Sequence, residues 1–138
     1  MNINQLLPGG LAVPPREYSP LVLAYIGDSV YETYIRTRLV ARANTQVNNL
    51  HKTTINYVKA KAQCEIMKAL LGQLTEEEEW VFKRGRNTKS ATVPKNADVG
   101  EYRYATGFEA LIGFLYLSGS RDRLYELLDF AFDYADEG

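Results

Sequence analysis

Residues 21–40 read LVLAYIGDSVYETYIRTRLV and predict one long, largely buried helix. Ser19 and Pro20 mark its start, because a hydroxyl cap followed by proline at the first helical position is typical of a helix N-terminus. Asp28 lies in the middle of this helix, at a position that is expected to be buried and to face the core. Its neighbours one or two turns away are small, aromatic or apolar, namely Ala24, Tyr31 and Ile35. A carboxylate on such a surface must protonate, accept hydrogen bonds or bind a cation, so Asp28 is a candidate functional residue.

The remaining chain predicts an all-α fold with five to seven helices and no useful strand alternation. The first helix is expected to end at about Ala43. Later helical stretches are predicted at residues 50–72 (one helix, or two with a bend near Tyr57), 75–85, 99–119 and 121–135. The residues predicted to cap them are Asn48 or Asn49, Thr75 in a capping box with Glu78, Asp98, and Ser120. Residues 86–100 are predicted to form a loop, and long loops in compact domains are often functional.

Length and composition indicate one ordinary globular domain. The chain has 138 residues, 46% of them hydrophobic and 24% charged. Residues 1–18 are rich in proline and glycine and are predicted to form an irregular arm, with at most a short turn around residues 3–7, before a single domain at 19–138. Cys64 is the single cysteine and His51 the single histidine, which argues against a disulfide, a zinc site or a histidine-dependent triad. No apolar run suits a membrane span and no secretory signal is evident, so we expect a cytoplasmic protein without membrane attachment.

A second acid repeats the pattern of Asp28. Glu109 is the only charged residue between Tyr104 and Leu117, and small residues flank both acids, so their helices can approach closely. Oxygen ligands without cysteine or histidine favour Mg²⁺ or Mn²⁺ over zinc, and Mg²⁺ often takes only one or two protein carboxylates. Such a site suits phosphodiester hydrolysis. Alternatively, each acid bonds a tyrosine hydroxyl or an arginine, which ten tyrosines make easy. From spacing alone, both interpretations stay open.

Basic residues are concentrated at the end of the predicted helical stretch 75–85 and in the predicted loop that follows it. The formal net charge is only −1, but the run FKRGRNTKS and the residues after it hold five candidates for phosphate contacts: Lys83, Arg84, Arg86, Lys89 and Lys95. Much of the opposing charge lies in Glu76–Glu79 and at the C-terminal end. A nearly neutral chain can therefore present a positive edge to nucleic acid.

The two acidic helices resemble the signature helices of the ribonuclease III catalytic domain. The segments Gly27-Asp28-Ser29-Val30 and Glu109-Ala110-Leu111-Ile112-Gly113 match the family motifs letter for letter. The likeness covers nearly the whole chain after residue 18. We expect no double-stranded-RNA-binding domain after it. Together with KRGRNTKS and PKNADVGEYRYAT, this looks like the stand-alone bacterial form of the family.

The resemblance carries Asp28 and Glu109 over as the metal-binding, catalytic acids. Three other acidic positions of the family motifs are occupied here by Leu21, Ala24 and Thr106. The resemblance thus implies a metal held by fewer direct ligands and more water, with Thr106 a candidate for orienting one such water.

The resemblance also implies the reaction and the partners. It implies Mg²⁺-dependent hydrolysis of double-stranded RNA to 5′-phosphate and 3′-hydroxyl ends, with Mn²⁺ able to substitute, and precursor 23S ribosomal RNA as the substrate of the stand-alone form. It further implies a homodimer with one site per subunit. The apolar character of residues 21–26 on every side of the helix supports a dimer independently, although a central helix in a monomer would explain it too.

Two other functions are compatible with the sequence. A non-catalytic RNA-binding module on the same fold would share the basic run but gives no reason to keep both Asp28 and Glu109. A helical interaction protein with structural acids would leave the basic run without a role. Cleavage of a labelled RNA duplex with Mg²⁺, and its loss with EDTA, distinguishes all three.

Overall fold

The computed structural model describes residues 10–89, 93, 95 and 97–137, and in these residues it is built of helices without strands. The prediction of an all-α fold is confirmed. The six α-helices are α1 (Pro20–Arg42), α2 (Val47–Val58), α3 (Ala60–Leu70), α4 (Glu76–Asn87), α5 (Val99–Leu117) and α6 (Arg121–Glu137). Two 3-10 turns lie at Pro15–Glu17 and Leu71–Gln73. None of the described helices is long and apolar enough to cross a membrane.

Local capping signals locate most helix starts. The Ser19 hydroxyl accepts a hydrogen bond from the Leu21 N–H, which confirms the predicted start of α1. Thr75 and Glu78 form the predicted capping box at α4. The Asp98 carboxylate accepts from the Glu101 N–H and caps α5 as predicted.

The start of α2 differs from the prediction. Neither Asn48 nor Asn49 caps it; the helix begins at Val47, and the N-cap Gln46 makes no side-chain capping bond. The Gln46 carbonyl instead accepts the first two helical hydrogen bonds, while the Asn49 amide donates to the Thr45 hydroxyl at 3.5 Å. The chain therefore turns into the helix before either asparagine is reached.

Two other boundaries refine the prediction. The stretch 50–72 is two helices, because Lys59 takes an extended conformation with ψ 153° between α2 and α3. The break falls two residues after Tyr57. The predicted loop 86–100 begins later than expected, since α4 continues to Asn87, and part of that loop lies outside the described residues. The predicted turn at residues 3–7 also lies outside them.

Helix α5 is the centre of the fold and packs directly on α1. Phe108, Leu111 and Ile112 on α5 are completely buried. A Cβ atom added at Gly27 would lie 1.8 Å from the Glu109 carbonyl oxygen, and one added at Gly113 would lie 1.9 Å from the Leu23 carbonyl oxygen. The two backbones therefore touch, as the small residues beside the acids predicted. This contact places Asp28, next to Gly27, beside Glu109.

Candidate active site

A cavity of about 420 Å³ opens between α1 and α5, and both candidate acids line it. Its walls also carry the three residues that replace acids of the family motifs: Leu21, Ala24 and Thr106. Tyr25, Ile26, Ser29 and Tyr102 complete the lining. The structure thus brings Asp28, Glu109 and Thr106 together, as the resemblance implied.

The two acids have different surroundings, which corrects the prediction that both are buried. Glu109 is half-buried, whereas Asp28 is exposed. The neighbours of Asp28 on its helical stripe, Ala24, Tyr31 and Ile35, are buried as predicted. The stripe reaches the surface at Asp28 because the cavity opens there between the two helices.

The Glu109 carboxyl is strongly perturbed. Burial, followed by the negative charge of Asp28 and a hydrogen bond between the two carboxyl groups, raises the pKa of Glu109 to about 8. A hydrogen bond of 3.3 Å from the Gln63 amide to Glu109 Oε2 opposes this rise. One of the two adjacent carboxyl groups therefore resists ionisation. A cation bound between them would stabilise the ionised form of both.

The alternative explanation for the acids, a structural bond to tyrosine or arginine, does not fit the described residues. Three buried or half-buried tyrosine hydroxyls donate elsewhere: Tyr31 to the Tyr57 carbonyl, Tyr34 to Asp129, and Tyr57 to Asp136. In the described part of the chain, neither acid forms a salt bridge or accepts a hydrogen bond from tyrosine or arginine. Within these residues, structural neutralisation of the two acids by tyrosine or arginine is therefore absent.

The donor set suits a hard cation with a largely aqueous shell. Among the described residues, no three of histidine, cysteine, aspartate and glutamate gather closely enough to hold a metal by themselves. Two carboxylates on an open cavity match Mg²⁺, which keeps several waters when bound to proteins. The Thr106 hydroxyl donates to the Tyr102 carbonyl at 3.0 Å, so its oxygen remains an acceptor for a water in the cavity.

The five predicted RNA-binding residues do not line this cavity. Three are on α4 and have partners: Lys83 pairs with Glu79 at 2.7 Å, Arg84 lies over the Trp80 ring and donates to the Arg16 carbonyl, and Arg86 lies over the Phe82 ring. Lys89 and Lys95, beyond the helix, are exposed. The salt bridge to Glu79 makes Lys83 the weakest candidate of the α4 residues for a phosphate contact.

The sequence interpretation missed Gln63. This glutamine on α3 is only 2% exposed and makes the single hydrogen bond from a neutral side chain to Glu109 among the described residues. A polar residue at a buried position of the stretch AKAQCEIM was the available signal, but its partner lies 46 residues away in the chain. Only the packing of α3 on α5 reveals the contact.

Comparison with known proteins identifies the family. A model of the ribonuclease III domain matches residues 21–120. The chain is 56% identical to the Mini-ribonuclease 3 of Thermoanaerobacter sp. (strain X514), over 86% of this chain and 84% of that protein. It is 48% identical to the Mini-ribonuclease 3 of Symbiobacterium thermophilum, over 90% and 95% of the two chains.

A solved structure shows the same fold. The crystal structure of protein FN1578 from Fusobacterium nucleatum matches with a TM-score of 0.78 and 33% sequence identity, covering 86% of this chain and 94% of that one. Sequence identity at this level, over nearly the whole length of several relatives, shows membership of the same family and not only a shared fold. The chain belongs to the ribonuclease III family, within its Mini-ribonuclease 3 group, and is an endoribonuclease.

Proposed function

We propose that this endoribonuclease is Mg²⁺-dependent and cleaves double-stranded RNA at the cavity lined by Asp28 and Glu109. The observation that carries the proposal is the pair of adjacent carboxyl groups at an open cavity, with the pKa of Glu109 raised to about 8 and no arginine or tyrosine partner in the described chain. Burying an acid beside a second acid destabilises the fold, and acids with such strongly perturbed pKa values are concentrated at functional sites.

Each residue of the proposed site has a distinct task. Asp28 and Glu109 would hold the cation from opposite helices, and the Thr106 oxygen would accept a hydrogen bond from a water near the phosphate. Mg²⁺, when bound, activates water and stabilises negative charge on a phosphate. Leu21 and Ala24 line the α1 side of the cavity at positions where the family motifs carry acids, so water would complete the shell of the cation there.

We propose that RNA is bound through phosphates by Arg84, Arg86, Lys89 and Lys95, with a smaller contribution from Lys83. Lys89 and Lys95 are exposed and follow α4 in the chain, and the guanidinium groups of Arg84 and Arg86 are held over aromatic rings. The products would carry 5′-phosphate and 3′-hydroxyl ends, and the natural substrate would be precursor 23S ribosomal RNA. Resemblance to the stand-alone form supports this choice of substrate.

We further propose a homodimer. The N-terminal part of α1 exposes three apolar or aromatic side chains, Leu21 at 40%, Val22 at 46% and Tyr25 at 81%. Leu21 and Tyr25 also line the cavity, so a partner subunit on this surface would lie next to the active site. Two sites related by a two-fold axis match the approximate symmetry of an RNA duplex and would cleave both strands.

Incubation of the purified protein with an end-labelled RNA duplex tests the proposal. We expect cleavage with Mg²⁺, no cleavage with EDTA, and restoration when Mg²⁺ is supplied in excess. A precursor 23S ribosomal RNA transcript, compared with an unrelated duplex of equal length, tests the substrate. Cleavage that persists in EDTA would contradict the metal-dependent mechanism, and binding without cleavage under all conditions would indicate an RNA-binding module.

A further inference from the structure

Gln63 makes two different contacts with one buried amide group. Its Nε2 atom donates to the Val58 carbonyl at 2.8 Å, at the end of α2, and to Glu109 Oε2 at 3.3 Å. An amide NH₂ has two hydrogens, so both bonds can exist at once. The Oε1 atom of the same amide is buried and accepts no hydrogen bond from the described residues.

The surroundings determine the orientation of this amide. The Val58 carbonyl can only accept hydrogen bonds, so Nε2 has to face it, and the same atom then lies within hydrogen-bond distance of Glu109 Oε2 while Oε1 is left without a donor among the described residues. A buried polar atom without a partner destabilises the fold, because it has lost its hydrogen bonds to water without replacing them. An unbranched apolar side chain of similar length would avoid this cost, which indicates that the amide N–H has a use besides stability.

We infer that Gln63 is a positioning residue that holds the Glu109 carboxyl group facing Asp28 in the cavity. The bond to Val58 anchors the amide at the junction of α2 and α3, and the second N–H then restrains Glu109 Oε2. Groups that orient a metal-binding side chain typically change metal affinity or activity by 10–100-fold when removed. The inference rests on the proposed function of the two acids.

The test is the variant Gln63→Met, which keeps the length of the side chain and removes both N–H donors. We expect its affinity for Mn²⁺, measured directly by electron paramagnetic resonance, to fall roughly tenfold or more. We also expect kcat for a duplex RNA to fall while KM for the RNA stays unchanged. The matched control is Cys64→Ala at the next position of α3, because Cys64 is 3% exposed and bonds to neither acid in the described chain.

A double variant separates positioning from a general effect on the fold. If Gln63 acts through Glu109, then Gln63→Met should weaken Mn²⁺ binding in the wild-type background and have no further effect in Glu109→Gln. Equal losses in both backgrounds, or Mn²⁺ affinity and kcat equal to those of Cys64→Ala, would overturn the inference. These outcomes are distinct from failure of the proposed function, which would appear as wild-type protein that does not cleave or as an active Asp28→Asn variant.

A measurement on wild-type protein covers the case in which Gln63→Met does not fold. The side-chain NH₂ resonances of Gln63 should shift on addition of Mg²⁺, and the shift should be absent in Asp28→Asn. Unmoved Gln63 resonances in a protein that binds Mg²⁺ would show that the amide does not sense the occupied site.

Discussion

Asp28 and Glu109 form one electrostatic unit, although only Glu109 is substantially buried. The pKa of Glu109 is raised to about 8 by burial first and by the negative charge of Asp28 second, so a change at Asp28 alters the protonation of Glu109. In the absence of metal, this arrangement destabilises the folded protein at neutral pH, because Glu109 is ionised in the unfolded chain and must take up a proton when the chain folds. A bound cation would reverse the preference by stabilising both ionised carboxylates.

Replacing Asp28 by asparagine should abolish cleavage while leaving the fold intact. The amide keeps the side-chain volume and removes the charge that would hold Mg²⁺. Because Asp28 is exposed and its charge raises the pKa of Glu109, the free energy of unfolding of the metal-free variant should equal or exceed that of wild type. Single-turnover cleavage, RNA binding and urea denaturation measure these three properties. Substantial Mg²⁺-dependent turnover by Asp28→Asn would refute its catalytic role.

The stability of metal-free protein should fall as the pH rises through the range where Glu109 titrates. A carboxyl group whose pKa is about 8 in the folded state and 4.5 in the unfolded chain binds its proton more tightly when folded. Its contribution is therefore complete below about pH 4.5 and is lost as the pH rises to about 8. Burial raises the pKa of Glu78, but its hydrogen bonds to Arg123 and to the Thr75 N–H outweigh this effect, so the pKa of Glu78 is lowered and this residue acts in the opposite direction and at lower pH.

Urea denaturation in EDTA across this pH range provides the measurement. Wild-type stability should decrease between about pH 5 and pH 8, and Glu109→Gln should show a much smaller decrease. Addition of Mg²⁺ should stabilise wild type most at the higher pH, where the proton no longer competes. A flat wild-type profile would show that Glu109 does not titrate in this range.

At the scale of the helices, local sequence signals predicted most helix starts well. They did not predict the tertiary contacts of the site. Ser19, Thr75 and Asp98 were identified correctly as caps because each bond lies within three residues of its cap. The start of α2 was missed because Gln46 caps with its backbone alone, which no side-chain pattern reveals. The resemblance located Asp28 and Glu109, but the exposure of Asp28 depends on where two helices diverge, and the contact of Gln63 depends on a third helix.

The direct contact of α1 and α5 should make Gly27 intolerant of any side chain. A Cβ at Gly27 would lie 1.8 Å from a backbone oxygen of α5, so Gly27→Ala must separate the helices that carry the two acids. We expect a loss of roughly 3 kcal/mol or more in the free energy of unfolding, at or above the upper end of ordinary overpacking. Gly72→Ala is the control, because nothing lies within 4 Å of the added atom. Similar stabilities of the two variants would contradict the packing described here.

The basic residues of α4 and the segment beyond it should contribute unequally to RNA binding. Arg86→Ala and Lys89→Ala should each weaken binding to unrelated duplexes alike and reduce the log–log salt slope by roughly one unit. Lys83→Ala should have a smaller effect because Glu79 already pairs with Lys83. Titrations at several salt concentrations check this order. An unchanged slope in both Arg86→Ala and Lys89→Ala would place the RNA-binding surface elsewhere.

At the scale of the whole molecule, the predicted dimer connects an exposed surface to the reaction. Val22 is 46% exposed at the N-terminal part of α1 but does not line the cavity, so Val22→Asp can disturb the proposed interface without altering the acids. In a two-fold dimer each substitution would place two new charges at one apolar interface, and burying unpaired charges is costly. We expect light scattering at micromolar concentration to report a dimer for wild type and a monomer for Val22→Asp. The control Ile55→Asp, at a 56% exposed position on α2, should remain dimeric.

Loss of the partner should also uncouple the two cuts, so that a duplex is nicked in one strand at a time. A wild-type monomer that cleaves both strands with a fixed stagger would refute the two-site mechanism.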